Sequence, residues 1–511
     1  MHFAGCGGER SKILHMLFNS FAFAVFFPVV VLLYYIVPKR FKRLWLLVAS
    51  YYFYMGWNAK YAVLIFISTV VTYLCALLMD REEGYIRQKK RLLLIVSLVV
   101  NFGILFFYKY FDFVCDIVAT GVSLFGGKLD SPRMDVLLPV GISFYTFQTL
   151  GYVIDVYRGN VKAEKNFVVY ALFVSFFPQL VAGPIERSGN LLVQIEKMPN
   201  EKLWDFDKAT RGLLLMLWGF FMKMVIADRA AMLVDTVFEM YYMQGGVALL
   251  FGCVLFSVQL YCDFAGYSLI AVGAAKVLGI ELMANFKAPF FATSIRELWR
   301  RWHVSLSSWF RDYLYVPLGG NRCAKSRAYF NNIVTFMASG LWHGASWHFV
   351  VWGLVQGIYI VIGDVLKPIK DKFNSAFWVR TNSFGYRFFQ GLCTFFLFSL
   401  SMVFFRADTV RDALYYLRRM FTEFDVWSLF DKSIYYLGLD EKELGVLWLS
   451  IFVLIIVDAF YARKKAFFDT LVKEQCLAVQ YVIVAVLLVM IIVFGVYGEG
   501  YDATQFIYFQ F

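Results

Sequence analysis

The sequence predicts an all-α protein that crosses a bilayer many times, and three observations carry that reading. Hydrophobic residues make up 60% of the 511 positions, against about 45–50% in soluble domains. Mean hydropathy is +0.62. Aromatic residues reach 20%, as expected where Trp and Tyr gather at headgroup depth and Phe faces lipid.

A bilayer core needs about 20 apolar residues per helix. Apolar runs cover residues 17–37, 61–79, 91–108, 167–181, 212–226, 247–260, 347–362, 388–405, 444–460 and 477–496. The last holds only Gln480 as a strongly polar residue. The pattern reads as about 10–12 transmembrane helices, with short re-entrant and interfacial segments beside them.

The formal net charge is +12, but the basic residues sit at the ends of apolar runs. Lys39, Arg40, Lys42 and Arg43 follow the first; Arg81, Arg87, Lys89, Lys90 and Arg91 separate two others; Arg463, Lys464 and Lys465 precede the last. By the positive-inside rule these loops are cytoplasmic and the tail after Tyr497 is external. No base-stacking module or basic domain accompanies the charge, so nucleic acid is not a partner. Cys75, Cys115, Cys253, Cys393 and Cys476 lie within or beside apolar runs, where Cys acts as a small hydrophobe.

Residues 1–15 are Gly-rich and mixed in charge, and read as an extra N-terminal segment with Met16 as a candidate start. The first apolar run is full length for a span and lacks a small-residue cleavage site, so no cleavable signal is expected. Residues 16–511 read as a single membrane domain without repeats. Its largest polar stretches are 196–210, 281–327 and 408–443.

Chemistry concentrates in residues 261–357, which hold three of the five histidines. Asp263 ends an apolar run. An ionisable group at that depth costs at least about 2.5 kcal/mol on insertion scales, so it either serves function or forms a salt bridge to an Arg that orients helices. Residues 294–310 read as one helix, with Trp299, Trp302, Leu306 and Phe310 on one side and Arg296, Arg300, His303 and Ser307 as a polar stripe beside them. Arg301, Arg311 and Asp312 extend this basic segment. It fits either anionic headgroups or a phosphorylated donor, because guanidinium groups pair with phosphate. Further on, Trp342, His343 and His348 interrupt an apolar stretch among Gly340, Gly344 and Ala345. The small residues allow close backbone approach. A neutral imidazole there can act as a general base or be satisfied by a backbone carbonyl. His343 and His348 are five apart with no Cys or Glu to complete a metal set, so no metal is expected.

Taken in order, the motifs resemble the membrane-bound O-acyltransferase family, in its bacterial branch of alginate O-acetyltransferase and the related peptidoglycan and teichoic acid enzymes. They are LPVGISFYTFQ (138–148), PQLVAGPIER (178–187), YCDFAGYS (261–268), WRRWHVS (299–305), WFRDYLYVPLGGN (309–321) and LWHGA (341–345). The similarity runs from residues 16–21 to the closing 506–511. The resemblance implies a catalytic histidine at His343, a second functional histidine at His303, and helices around a central tunnel. It also implies a cytoplasmic acyl donor, acetyl coenzyme A, as co-substrate with no tightly bound cofactor, and an extracytoplasmic acetyltransferase partner that completes O-acetylation of a polysaccharide. The bacterial cytoplasmic membrane is the expected location. Arg296, Arg300, Arg301 and Arg311 become donor-binding candidates, and Asp263, Asp312 and Trp342 further site candidates. One departure is Gln356, where many relatives carry a histidine; Gln can hydrogen bond but cannot titrate. Competing expectations are a polysaccharide or lipid transporter, D-alanyl transfer to teichoic acid from a carrier protein, and a structural scaffold for polysaccharide export.

Overall fold

A computed structural model of the chain describes residues 16–80, 87–134, 138–181, 183–200, 204–464 and 475–497. The N-terminal segment 1–15, Arg81, Lys465 and the tail 498–511 lie outside the described residues. No strand occurs among the described residues, and eight helices are long and apolar enough to cross a membrane. The all-α, multi-pass architecture is as the sequence predicts.

The first half holds α1 (Phe21–Ile36), α2 (Lys42–Met55), α3 (Tyr61–Asp80), α4 (Arg87–Leu105), α5 (Phe111–Leu124), α6 (Ile142–Tyr157), α7 (Phe167–Ser175), α8 (Phe177–Leu180) and α9 (Val193–Lys197). A π-helical turn, Phe106–Tyr110, joins α4 to α5 within one 37-residue helical run. The expected run 167–181 breaks at Phe176, where the chain leaves helical geometry between α7 and α8. Pro178, which has no backbone N–H to donate, falls in the first turn of α8, where that loss costs nothing.

The second half holds α10 (Phe206–Phe220), α11 (Asp228–Glu239) and α12 (Gly246–Val277). It continues with α13 (Ile295–Arg301), α14 (Val304–Phe310), α15 (Lys325–His343) and α16 (Trp347–Ala376). Helices α17 (Phe384–Arg406), α18 (Val410–Thr422), α19 (Glu441–Lys464) and α20 (Leu477–Phe494) close it. A second π-helical segment, Phe221–Ala227, joins α10 to α11. Helix α20 is peripheral: Val482, Val486, Val489 and Ile492 are all exposed, an apolar surface that only lipid solvates well.

Two buried apolar clusters result. One gathers α1, α2, α3, α6, α7 and the C-terminal half of α12 and includes Trp309, Phe310 and Trp342. The other gathers α10, α11, α16, α17, α18 and α19 and includes Trp299, Trp302, Phe349 and Trp352. Helices α13 and α14 therefore belong to different clusters, and so do Trp342 and Trp352 on either side of His343. His303 and His343, singled out from the sequence, lie on the seam.

Candidate active site

Residues 294–310 do not form the continuous helix expected from their spacing. The chain breaks between α13 and α14 at Trp302 and His303, and His303 takes φ +43°. That left-handed conformation is uncommon for a residue with a Cβ and persists only where surroundings enforce it. The enforcing partner is Asn285. Its carbonyl accepts from Val304 N (2.9 Å) and its side chain accepts from Ser305 N (3.3 Å). The Asn285 loop is itself held by Glu186, whose carboxylate accepts from Met283 N (2.6 Å) and Asn190 (2.7 Å). Burial pushes the Glu186 carboxyl up to about 7. The break ends the anticipated polar stripe: His303 turns into the interior and is buried, while Arg300 stays exposed.

His343 is the last residue of α15. The close approach expected at its glycines is real. A Cβ on Gly340 would lie 2.1 Å from the Phe349 carbonyl oxygen of α16, and one on Gly344 would lie 2.0 Å from the Phe349 ring. The two imidazoles meet at the seam with ring centroids 6.4 Å apart. Trp352 and Phe405 present edges to His343, each at 5.3 Å, and Phe264 meets His303 edge-on at 4.6 Å. Trp342 stands 5.0 Å from His343 and 6.0 Å from His303. This is an aromatic box around two buried titratable rings.

The C-terminal end of α15 is held by a group that sequence reading passed over. Lys109, in the π-helical turn, donates from Nζ to the carbonyls of Trp342 (2.8 Å) and His343 (2.9 Å). Tyr110 donates to Leu341 O (3.0 Å). A cation at a helix C-terminus complements the helix dipole. Lys109 closes the 91–108 run, where it reads as one more flanking charge, and its partners are more than 230 residues away in sequence.

The other candidates separate. Asp263 lies 2.6 Å from Lys223 Nζ, which also lies 2.7 Å from Asp228, all three side chains buried. The expected partner type, Arg, is replaced by Lys. Three donor-binding candidates face carboxylates: Arg296 pairs with Asp364, Arg301 with Glu297 (2.6 Å) and Arg311 with Asp312 (2.8 Å). Among the described residues Arg300 forms no ion pair. Asp312 also takes Arg187 (3.1 Å), and the Arg158 and Arg187 guanidinium groups lie over the Tyr313 ring at 5.3 and 4.6 Å. Gln356 is a bridge. It accepts from Trp299 Nε1 (3.1 Å) and donates to Ser401 Oγ (2.6 Å), tying α13 and α17 to α16. His348 Nδ1 lies 3.0 Å from Phe404 O, a backbone contact.

The motifs at 138–148 and 178–187 interlock: Gln148 donates to Phe173 O (2.6 Å), and Gln179 donates to Gln148 Oε1 (2.8 Å). Phe147 stacks on Trp309 at 3.8 Å, linking α6 to α14. The first turn of α6 lines a cavity of about 40 Å³ together with Lys109, Trp342 and His343. A larger cleft of about 410 Å³, lined by Lys197, Lys208, Lys276, Asp205 and Glu281, touches none of the predicted site residues.

A multi-pass helical membrane protein with two buried histidines at an internal seam is the class that this fold and site define. The chain belongs to the membrane-bound O-acyltransferase family, and it is an O-acyltransferase. The family model matches residues 161–405. The chain is 36% identical to a probable alginate O-acetylase of Pseudomonas aeruginosa over 453 residues, covering 88% of this chain and 82% of that protein. It is 34% identical to a peptidoglycan O-acetyltransferase of Helicobacter pylori over 440 residues, 80% of each chain. A teichoic acid D-alanyltransferase of Streptococcus thermophilus is 33% identical over 248 residues, 46% of this chain and 59% of that protein.

Proposed function

We propose that the protein takes an acetyl group from acetyl coenzyme A on the cytoplasmic side of a bacterial inner membrane and passes it on for O-acetylation of an extracytoplasmic polysaccharide. The observation that carries this reading is the pair of buried imzidazole rings at the seam, with His343 at the end of a helix fixed by Lys109. His343 acts as general base: it takes the proton of the attacking hydroxyl as the acyl carbon is attacked, and returns it to the departing sulfur. His303 supports it by position. Acetyl is favoured over D-alanyl because the O-acetylating relatives match over most of the chain and the D-alanyl relative over less than half. A separate extracytoplasmic acetyltransferase finishes transfer onto the polymer. The test is incorporation of radiolabelled acetyl from acetyl coenzyme A into the envelope of membranes that carry this protein in a strain lacking its own. No incorporation above the empty strain, with the protein present, refutes the donor assignment.

The donor meets Arg300 first, because the other three arginines of the segment already face carboxylates. A charge-assisted hydrogen bond contributes about 1.5–3 kcal/mol, so Arg300→Ala raises the apparent Michaelis constant for acetyl coenzyme A by about ten- to a hundredfold. Saturation curves on the same membranes measure it. An unchanged constant leaves this residue as a headgroup anchor.

Orientation follows from the basic loops at Lys39–Arg43, Lys89–Lys90 and Arg463–Lys464. A reporter that is active only outside the cytoplasm, fused after Phe511, is therefore expected to be active. A cytoplasmic signal there reverses the placing of the donor site.

A further inference from the structure

The cavity of about 40 Å³ beside His343 brings hydrogen-bond donors together. Its lining includes Lys109, Trp342, His343 and the turn that opens α6, and among the described residues none that lines it is acidic. Lys109 spends two of its three N–H groups on the carbonyls of Trp342 and His343. The third belongs to an ammonium that, among the described residues, faces no carboxylate in an ion pair. The Trp342 indole N–H is buried and has no hydrogen-bond partner among the described residues. Its ring lies 5.9 Å from Lys109 Nζ. Two acceptors of the turn already have donors: Val140 O accepts from Tyr54 (3.1 Å) and Pro139 O from Ile142 N (3.2 Å). Gly141, at φ +75°, reverses the chain so that the positive end of the 16-residue helix α6 opens here. No larger residue fits, since a Cβ would stand 2.5 Å from Leu180 O.

We infer that this cavity is the oxyanion site of the transfer. The inference rests on the reading of His343 as the base. As the acceptor oxygen forms its bond to the acyl carbon, His343 takes the acceptor's proton and the carbonyl electron pair moves onto oxygen. Lys109 and Trp342 donate to that oxygen. On collapse the pair returns, the carbon–sulfur bond breaks, and the proton passes from the imidazole to the leaving sulfur. A donor-lined pocket placed where negative charge develops stabilises the transition state more than the ground state. The size of the cavity suits a single oxygen atom and its bonds, not a sugar ring. The LPVGISFYTFQ motif thereby acquires a chemical reason: its Gly141 turn and the α6 N-terminus form one wall.

The test uses the same envelope-labelling assay with Lys109→Met, Lys109→Gln and Trp342→Phe. Gln keeps two donors for the carbonyls of Trp342 and His343 but has no charge; Phe keeps the ring and loses the N–H. Removing one oxyanion donor typically lowers turnover by about a hundred- to a thousandfold. That loss is expected in Lys109→Gln, and in Trp342→Phe, with the Michaelis constant for acetyl coenzyme A and the thermal midpoint in detergent unchanged. Lys109→Met is expected to lose as much, and if it fails to accumulate, the Gln variant decides. Near-normal turnover in Lys109→Gln shows that the lysine only holds the helix end and overturns the proposal, as does near-normal turnover in Trp342→Phe. His343→Ala in the same assay separates the two levels: if it is inactive while the Gln and Phe variants work, the oxyanion site fails and the base stands.

Discussion

His343→Ala should lose about a hundred- to ten-thousandfold of acetyl transfer, the range for removing a general base, while the protein still accumulates in the membrane. The ring packs against Trp352 and Phe405, each at 5.3 Å and steeply inclined to it, so truncation leaves a void among aromatic rings. His343→Gln fills most of that void and cannot titrate, so an equal loss in both variants isolates the proton chemistry from packing. Envelope labelling normalised to protein in the membrane gives the number. His303 needs a different substitution, because its φ of +43° is uncomfortable for Ala. Asn tolerates the left-handed region, and His303→Asn should lower transfer by less than either His343 variant. Near-normal transfer by His343→Ala in a strain without a related enzyme would return this histidine to a packing role.

The parts of the fold that were legible in the sequence are those solvated by lipid. Helices α3, α17, α19 and α20 start and stop close to the ends of their apolar runs, because a lipid-facing helix has no other way to solvate its side chains. Helices α2, α6 and α15 were not legible as helices. Each carries polar groups that the interior satisfies: Ser50 donates to Leu46 O and accepts from Phe177 N, Thr149 donates to Tyr145 O, and Asn331 donates to Leu318 O. Hydropathy counts such residues as unfavourable and cannot see their partners. The same blindness explains the site. The spacing of Trp299, Trp302 and Leu306 fits one helix, and only the distant Asn285 turns the chain at His303. His343 was visible as an imidazole among small residues, whereas Lys109 was hidden among flanking charges. Gln356 serves as a hydrogen-bonded bridge, a role that needs no proton.

Lys223→Met should be the most destabilising single change in the described interior. Lys223 lies in the π-helical segment between α10 and α11, 2.6 Å from Asp263 of α12 and 2.7 Å from Asp228, with all three side chains almost fully withdrawn from solvent. Two buried carboxylates then lose their shared ammonium in a medium of low dielectric. Breaking a buried ion pair from one side costs about 3–5 kcal/mol, since the remaining charge keeps its desolvation penalty and loses its compensation. The consequence extends to the site. Asp263 is followed by Phe264, whose ring lies 4.6 Å from His303 in an edge contact, so the turn of α12 that seats this histidine is the turn the lysine holds. Thermal unfolding in detergent should show Lys223→Met with a much lower midpoint than the native chain. Asp263→Asn, which keeps the shape and leaves one carboxylate for one ammonium, should lie between them. Transfer should fall in step with the folded fraction. The opposite pattern, an Asp263→Asn protein as stable as the native one but without transfer, would mean that this carboxylate serves the chemistry directly and that the salt bridge is incidental.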